Sequence, residues 1–220
     1  MDTDRSYDAI LFDNDGVLTT PTDREVLLEA MTEAFATVGV SNPPRAAIET
    51  LLSPDVDSLR TIAAEHGVEP QTLWTAREEA AIAAQRAELT AGRKRCYDDT
   101  AALESLPQPT AIVSNNQHET IGNILDELDL PPFEVWYGRE PTLEGINRKK
   151  PRPYYLEQAI DELGATEPLY VGDSYVDVAA ADALGIDVAF IRREHREGYS
   201  LDGPARPTFE IESLRALSRQ

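Results

Sequence analysis

Ala9-Ile10-Leu11-Phe12-Asp13-Asn14-Asp15-Gly16-Val17-Leu18 is the stretch from which the fold of this chain is read. An apolar run drives into two carboxylates one residue apart and then a glycine. A short apolar run bounded by a turn signal reads as a buried strand of a parallel sheet. At a strand end, residues i and i+2 share a face, so Asp13 and Asp15 point together and Asn14 points elsewhere. Gly16 permits a sharp turn and leaves room for another group against the backbone. Open α/β sheets bind ligands at the carboxyl ends of their strands, where this pair lies. Two carboxylates there repel unless a cation lies between them or one holds a proton. Asp and Gly are also ordinary turn residues, so the rest of the chain has to decide between a turn and a site.

Downstream, Thr22 and Glu25 have capping-box spacing for a helix start. Val26, Leu27, Ala30, Met31, Ala34, Phe35 and Val38 then recur at helical spacing up to Gly39. Further helices are predicted over 44–52, 55–66 and 71–89, the last Ala-rich, and nothing between residues 20 and 95 reads as a strand. From Asp98 the pattern alternates. Strands are predicted over 110–113, 133–137, 169–171 and 188–191, and helices near 99–105, 119–128, 153–163, 176–184 and 211–217. With the first strand, this gives an α/β fold: a five-stranded parallel sheet with helices on both faces. The helical block reads as an inserted cap, which divides the chain into a core of residues 1–19 and 97–220 and a cap of residues 20–96.

Each strand delivers its polar residues at its C-terminal end: Asp13 and Asp15, then Ser114, then Asp173. In a parallel sheet these ends share one edge, so residues far apart in sequence meet in one crevice. Turn chemistry explains any one of them but predicts no convergence. Asp13, Asp15 and Asp173 supply a hard oxygen site of the kind that suits Mg²⁺, which takes a few carboxylates and keeps room for a phosphate oxygen. Asp177 lies four residues past Asp173, where it caps the next helix, ligates the ion directly or, the favoured reading, supports the ligands from behind. The Ser114 hydroxyl and the N–H groups after it suit a phosphate oxygen, or cap a helix. Lys150 lies in Lys149-Lys150-Pro151-Arg152-Pro153, in a chain with only three lysines, and offers a compact ammonium to both carboxylate and phosphate. No histidine pair has metal-ligand spacing, and none of the three is assigned a role. Cys96, the single cysteine, reads as a small buried residue and excludes an internal disulfide.

Twenty basic residues against forty acidic ones give a net charge of −20, spread along the whole chain. Such a field opposes binding to nucleic acid or anionic lipid. No apolar run reaches the roughly 18 residues of a membrane span. Met1-Asp2-Thr3-Asp4-Arg5 lacks the form of a signal peptide, so a cytoplasmic location is expected.

Taken together, these residues resemble the haloacid dehalogenase-like hydrolases. All four signatures of that superfamily stand in order: Asp13-x-Asp15-Gly16-Val17-Leu18, Ser114-Asn115, Lys150-Pro151-x-Pro153 and Gly172-Asp173-Ser174-x-x-Asp177. The resemblance implies a Rossmann-like core with a helical cap, and a Mg²⁺-dependent phosphatase acting on a small phosphorylated metabolite as a monomer or weak dimer. It implies Asp13 as the nucleophile and Asp15 as the general acid and base. Ser114, Asn115 and Lys150 would hold the phosphoryl oxygens. Asp13, the backbone carbonyl of Asp15, and Asp173 would ligate Mg²⁺, with Asp177 behind them. The dehalogenases themselves lack the second aspartate, so Asp15 points to phosphate chemistry. A phosphonate-cleaving relative uses a cap lysine, and here no lysine precedes Lys94. Where relatives often carry a glycine in the cap loop, this chain has Leu52-Ser53-Pro54-Asp55. Arg45, Arg60, Arg77 and Arg86 are the cap cations that could meet a leaving group.

The same residue set also serves a phosphomutase resembling β-phosphoglucomutase, in which a sugar hydroxyl replaces water. A non-catalytic binder of phosphorylated ligands is a third reading, although no catalytic position is damaged. The charge also implies a salt-loving source, because screening relieves the self-repulsion of −20. The melting temperature is therefore expected to rise between dilute buffer and molar KCl. A flat or falling trend in thermal unfolding would contradict this.

Overall fold

The computed structural model of the chain describes residues 6–219, so the Met1–Arg5 segment read above for a signal peptide lies outside it. Strands β1 (Ala9–Phe12), β2 (Thr110–Gln117), β3 (Val135–Arg139), β4 (Pro168–Gly172), β5 (Asp187–Ile191) and β6 (Phe209–Ile211) form one sheet of order β3-β2-β1-β4-β5-β6. All five pairings are parallel. The pattern of β1 explains its central place. Ile10 and Phe12 face a cluster with Ile121 and Ile124, while Ala9 and Leu11 face one with Tyr155, Leu156 and Val178. With both faces covered by helices, no position of β1 can be polar until the strand ends.

Helix α5 (His118–Glu127) lies on the first face, and α7 (Tyr154–Leu163) and α8 (Tyr175–Leu184) on the second. The tail departs from expectation. Residues 209–211 form a sixth strand, and only Leu214–Arg219 turns helically, as a 3₁₀ segment. Phe209 and Ile211 alternate with Glu210, which pairs with Arg192 at 2.8 Å. That alternation spans three residues, too short to register as a strand. Helix α6 (Leu143–Arg148) was also not expected, and Thr142 caps it by accepting from Gly145 N at 3.0 Å.

Between β1 and β2 stand α1 (Arg24–Thr37), α2 (Arg45–Leu51), α3 (Val56–Glu65) and α4 (Pro70–Thr90). Asp23, not Thr22, caps α1, by accepting from Glu25 N at 2.8 Å. The Thr22 hydroxyl instead reaches Gln85 Oε1 at 3.4 Å. Met31, Phe35, Leu51, Leu59, Leu73 and Trp74 build a core for this block, joined by Ile146 of α6. The chain leaves the sheet layer and returns to it side by side. Thr20 N donates to Arg95 O at 2.9 Å and Tyr97 N to Leu18 O at 3.0 Å. Among the described residues, no helix is long and apolar enough to cross a membrane.

A buried ion cluster ties α4 to the sheet. Glu78, 2% exposed, accepts two hydrogen bonds from Arg139 at 2.9 Å each and one from Arg77 at 2.7 Å. The Trp74 ring lies 4.5 Å from the Arg139 guanidinium carbon and 5.1 Å from that of Arg77. Burial, with Arg139 nearby, brings Arg77 down to about 10. Removing one member of a buried ion cluster leaves the others uncompensated, at about 3–5 kcal/mol. Glu78→Gln is therefore expected to lower the urea-unfolding free energy by about that much. A change under about 1 kcal/mol would show the cluster to be energetically idle.

Candidate active site

The pairing register decides which side chains meet. Phe12 pairs with both Ile112 and Val171, so Asp13, Ser114 and Asp173 all stand within two residues of one rung. Asp13 N donates to Val171 O at 2.9 Å and prolongs β1 by one residue. The chain then turns around Asn14, whose carbonyl accepts from the N–H groups of Val17, Leu18 and Thr19 at 3.2, 2.9 and 3.0 Å. Gly16 has φ of 85°. A Cβ there would lie 2.4 Å from Asp173 Oδ2 and 2.6 Å from His195 Nε2, so those two groups rest directly on the turn. Gly172 answers a similar need, since a Cβ on it would meet Asp177 Cβ at 2.3 Å.

Lys150 organises the inner part of the cleft. It is 2% exposed, and its Nζ lies 3.1 Å from Asp13 Oδ1 and 2.6 Å from Asp177 Oδ1. The same ammonium donates to Val113 O at 3.0 Å and to Tyr170 Oη at 2.6 Å. Burial opposes charge on Lys150, but Asp13 and Asp177 outweigh it and raise its pKa. Burial raises the Asp13 carboxyl to about 7 against the attraction of Lys150. Asp177, fully buried, also accepts from Ser174 N at 3.0 Å and from the Ser174 hydroxyl. The capping box read from Ser174 and Asp177 is present, and Asp177 stands behind the cleft.

The Ser114 segment is arranged differently from expectation. Strand β2 runs on to Gln117 with a register shift after Val113, and α5 begins only at His118. Ser114 therefore sits on an extended strand end and not at a helix start. The reason lies in the side chains that follow it, all of which find partners sideways. Asn115 clamps the backbone of Lys150, with Nδ2 donating to Lys150 O at 2.9 Å and Oδ1 accepting from Lys150 N at 2.7 Å. Asn116 Nδ2 reaches Asp15 Oδ2 at 2.7 Å and Gln85 Oε1 at 2.8 Å. Ser114 is buried, its Oγ 3.2 Å from Asn116 N.

Asp173 receives two cationic or hydrogen-bonding groups that composition and spacing did not single out. His195 Nε2 lies 2.7 Å and Arg196 Nε 2.9 Å from its Oδ2. Both come from the loop after β5, and Tyr97 Oη touches His195 Nδ1 at 3.3 Å. His195 thus belongs to the site although no spacing rule assigned it. The carboxylate of Asp15 meets Lys94 Nζ and Asn116, and is 28% exposed to the cleft while the Lys94 side chain is fully buried. Of the cap cations that could meet a leaving group, Arg45, Arg60 and Arg86 are exposed, and Arg45 pairs with Glu49, Arg60 with Asp57 and Arg77 with Glu78. The cap loop does approach, with Lys149 Nζ donating to Ser53 Oγ at 3.0 Å and Pro54 O at 2.8 Å. Burial brings Lys149 down to about 8.

Asp13, Asp173 and Asp177 offer carboxylate oxygens within 4.8 Å of one another. That is close to the span of ligands around one small octahedral cation, with metal–oxygen distances of about 2.1 Å. Both oxygens of Asp177 are taken by Lys150, Tyr170 and Ser174. Among the described residues, no hydrogen bond is made to Oδ2 of Asp13 or Oδ1 of Asp173. These hard, unused oxygens fit Mg²⁺, with Asp177 supporting from behind.

Known proteins resemble the chain in sequence and in fold. A phosphoglycolate phosphatase of Pseudomonas putida is 32% identical over 109 residues, which is 49% of this chain and 39% of that protein. The chain thus spans less than half the length of the curated relative it matches. The crystal structure of CbbY from Rhodobacter sphaeroides in complex with phosphate superposes with a TM-score of 0.68 at 18% identity, covering 96% of both chains. A hydrolase from Pseudomonas syringae gives 0.63 at 19%, covering 95% of both. The profile of the haloacid dehalogenase-like hydrolases matches residues 7–185, from just before β1 to just past α8, and the chain is a member of that family.

Proposed function

We propose that the protein is a Mg²⁺-dependent phosphatase that hydrolyses a small phosphorylated metabolite through an aspartyl-phosphate on Asp13. The observation that carries this reading is the convergence of Asp13, Asp15, Lys150 and Asp173 at one sheet edge. The activity printed for the Pseudomonas putida relative supports phosphate chemistry. In this reading residues 1–19 and 97–220 carry the reaction, and residues 20–96 form a cap that covers it.

Lys150 and the Asn14 N–H hold Oδ1 of Asp13, at 3.1 and 2.7 Å, and fix the carboxylate so that one oxygen attacks phosphorus while the other is left to the metal. As the new O–P bond forms, the ester P–O bond breaks and Asp15 gives its proton to the departing oxygen. In the second step Asp15 takes a proton from water, the hydroxide oxygen bonds to phosphorus, and the Asp13–phosphorus bond breaks. Lys150, the Ser114 hydroxyl and the backbone N–H groups beyond it hold the phosphoryl oxygens, while Asn115 keeps Lys150 in place. Asp13, Asp173 and the Asp15 carbonyl would hold Mg²⁺, which would supply compensation for the charge of the phosphoryl group.

Asp13→Asn is expected to lower release of phosphate from a phosphomonoester by at least about 10⁴-fold. Unchanged turnover would exclude Asp13 as the nucleophile. Product analysis separates the alternatives: free phosphate supports hydrolysis, whereas isomerised sugar phosphate without phosphate release supports a mutase. Because burial raises Asp13 to about 7, a proton competes with the metal there. Mg²⁺ affinity, measured by calorimetry without substrate, is expected to tighten by about tenfold from pH 6 to pH 8. Affinity that is flat with pH, or falls, would place the metal elsewhere.

A further inference from the structure

The chain uses seventeen arginines and three lysines: Lys150 stands against Asp13, Lys149 against the cap loop, and Lys94 against Asp15. Two of these positions are accounted for by contacts with the nucleophile and the cap loop. Lys94 is not. Its side chain is fully buried, and among the described residues its ammonium reaches the Asp15 carboxylate and Thr20 O, the latter at 3.1 Å. A buried ammonium costs several kcal/mol in lost hydration unless paired. An exposed arginine would have served the surface of this protein equally well.

We propose that Lys94 is a positioning residue for Asp15, which holds that carboxylate toward the leaving-group oxygen and couples it to the seat of helix α4. This rests on the acid and base role of Asp15 given above. The geometry is that of a fixed rear support. Lys94 stands on the buried side of Asp15, and the carboxylate keeps 28% of its side-chain surface open to the cleft. Lys94 sits on the returning chain crossing, and its ammonium also grips the outgoing one at Thr20. Its backbone N–H is anchored on Glu88 O of α4 at 3.2 Å. The other oxygen of Asp15 meets Asn116, which is held by Gln85 of the same helix at 2.8 Å. Asp15 is thus gripped from two sides by groups that α4 sets in place. A shift of α4 withdraws both. A lysine suits this position because a compact point charge can meet a carboxylate and a carbonyl together.

The test compares Lys94→Met with the parent in Mg²⁺, using an alkyl phosphate, whose leaving oxygen needs a proton, and 2,4-dinitrophenyl phosphate, whose leaving oxygen does not. Lys94→Met is expected to lower kcat on the alkyl phosphate by about 100-fold with KM within threefold. The burst of dinitrophenolate release should fall far less, so that the ratio of the two rates shifts at least tenfold. A purely structural role would lower both together. In an Asp15→Asn background the substitution should add nothing, because Lys94 acts through that carboxylate. Lys94→Gln, which keeps a donor of similar length, covers the case in which the Met variant does not fold, and the same rate ratio is read. Parent activity with an unchanged variant, or parallel loss on both substrates, overturns the role of Lys94 alone. A parent that releases no phosphate from either substrate overturns the phosphatase reading, and this inference with it.

Discussion

Four aspartates crowd the carboxyl edge of the sheet, and their mutual repulsion is the constraint that the surrounding structure answers. Asp13 and Asp177 share the Lys150 ammonium, Asp173 is met by His195 and Arg196, and Asp15 by Lys94. Each counter-charge comes from a different segment, so the carboxylates can stand together only when the loop at 150, the loop after β5 and the returning cap crossing are all in place. Like charges in a low-dielectric cleft are costly unless each is compensated. The folding of the site and the folding of the domain are in this sense one event.

The compensation is also graded. Oxygens turned inward are satisfied by the protein, whereas Oδ2 of Asp13 and Oδ1 of Asp173 face the place where a small hard cation fits. A protein that saturated all of these oxygens would be more stable and inert, and one that left more of them bare would hold its carboxyls protonated. Helix α4 adds a second layer of control. Glu78 locks it to Arg139, Gln85 reaches Asn116, and Glu88 anchors Lys94. Residues 78 and 85 are seven apart and fall on one helix face, so a single element touches both the buried ion cluster and the carboxylate edge.

Much of this was legible in the chain. The strand ends could be placed because apolar runs stop where carboxylates begin, and the helical block because its apolar residues recur at helical spacing. Asp13, Asp15, Ser114 and Asp173 announced themselves by their position at strand ends, and Lys150 by the rarity of lysine and the prolines that follow it. The misses have physical causes. β6 alternates over too few residues to signal a strand. The stretch after Val113 stays extended because Asn115, Asn116 and Gln117 bond sideways, a tertiary effect that propensity does not carry. His195 and Arg196 lie in one 3₁₀ turn, Glu194–Arg196, too short to show periodicity, and only its packing against Asp173 and Gly16 gives them meaning. Gln85 was a polar residue in an alanine-rich run, and Lys94 one of three lysines. Their rarity was the available signal, and it was applied to the other two lysines only.

The most direct test of the central claim is a crystal structure of the protein grown with Mg²⁺ and beryllium fluoride, a stand-in for a phosphoryl group on a carboxylate. The account predicts beryllium bonded to the Asp13 carboxylate, fluorides contacted by Lys150 and Ser114, and a metal ion against Asp13 and Asp173. Beryllium on another residue, or a metal ion held away from these two aspartates, would contradict it.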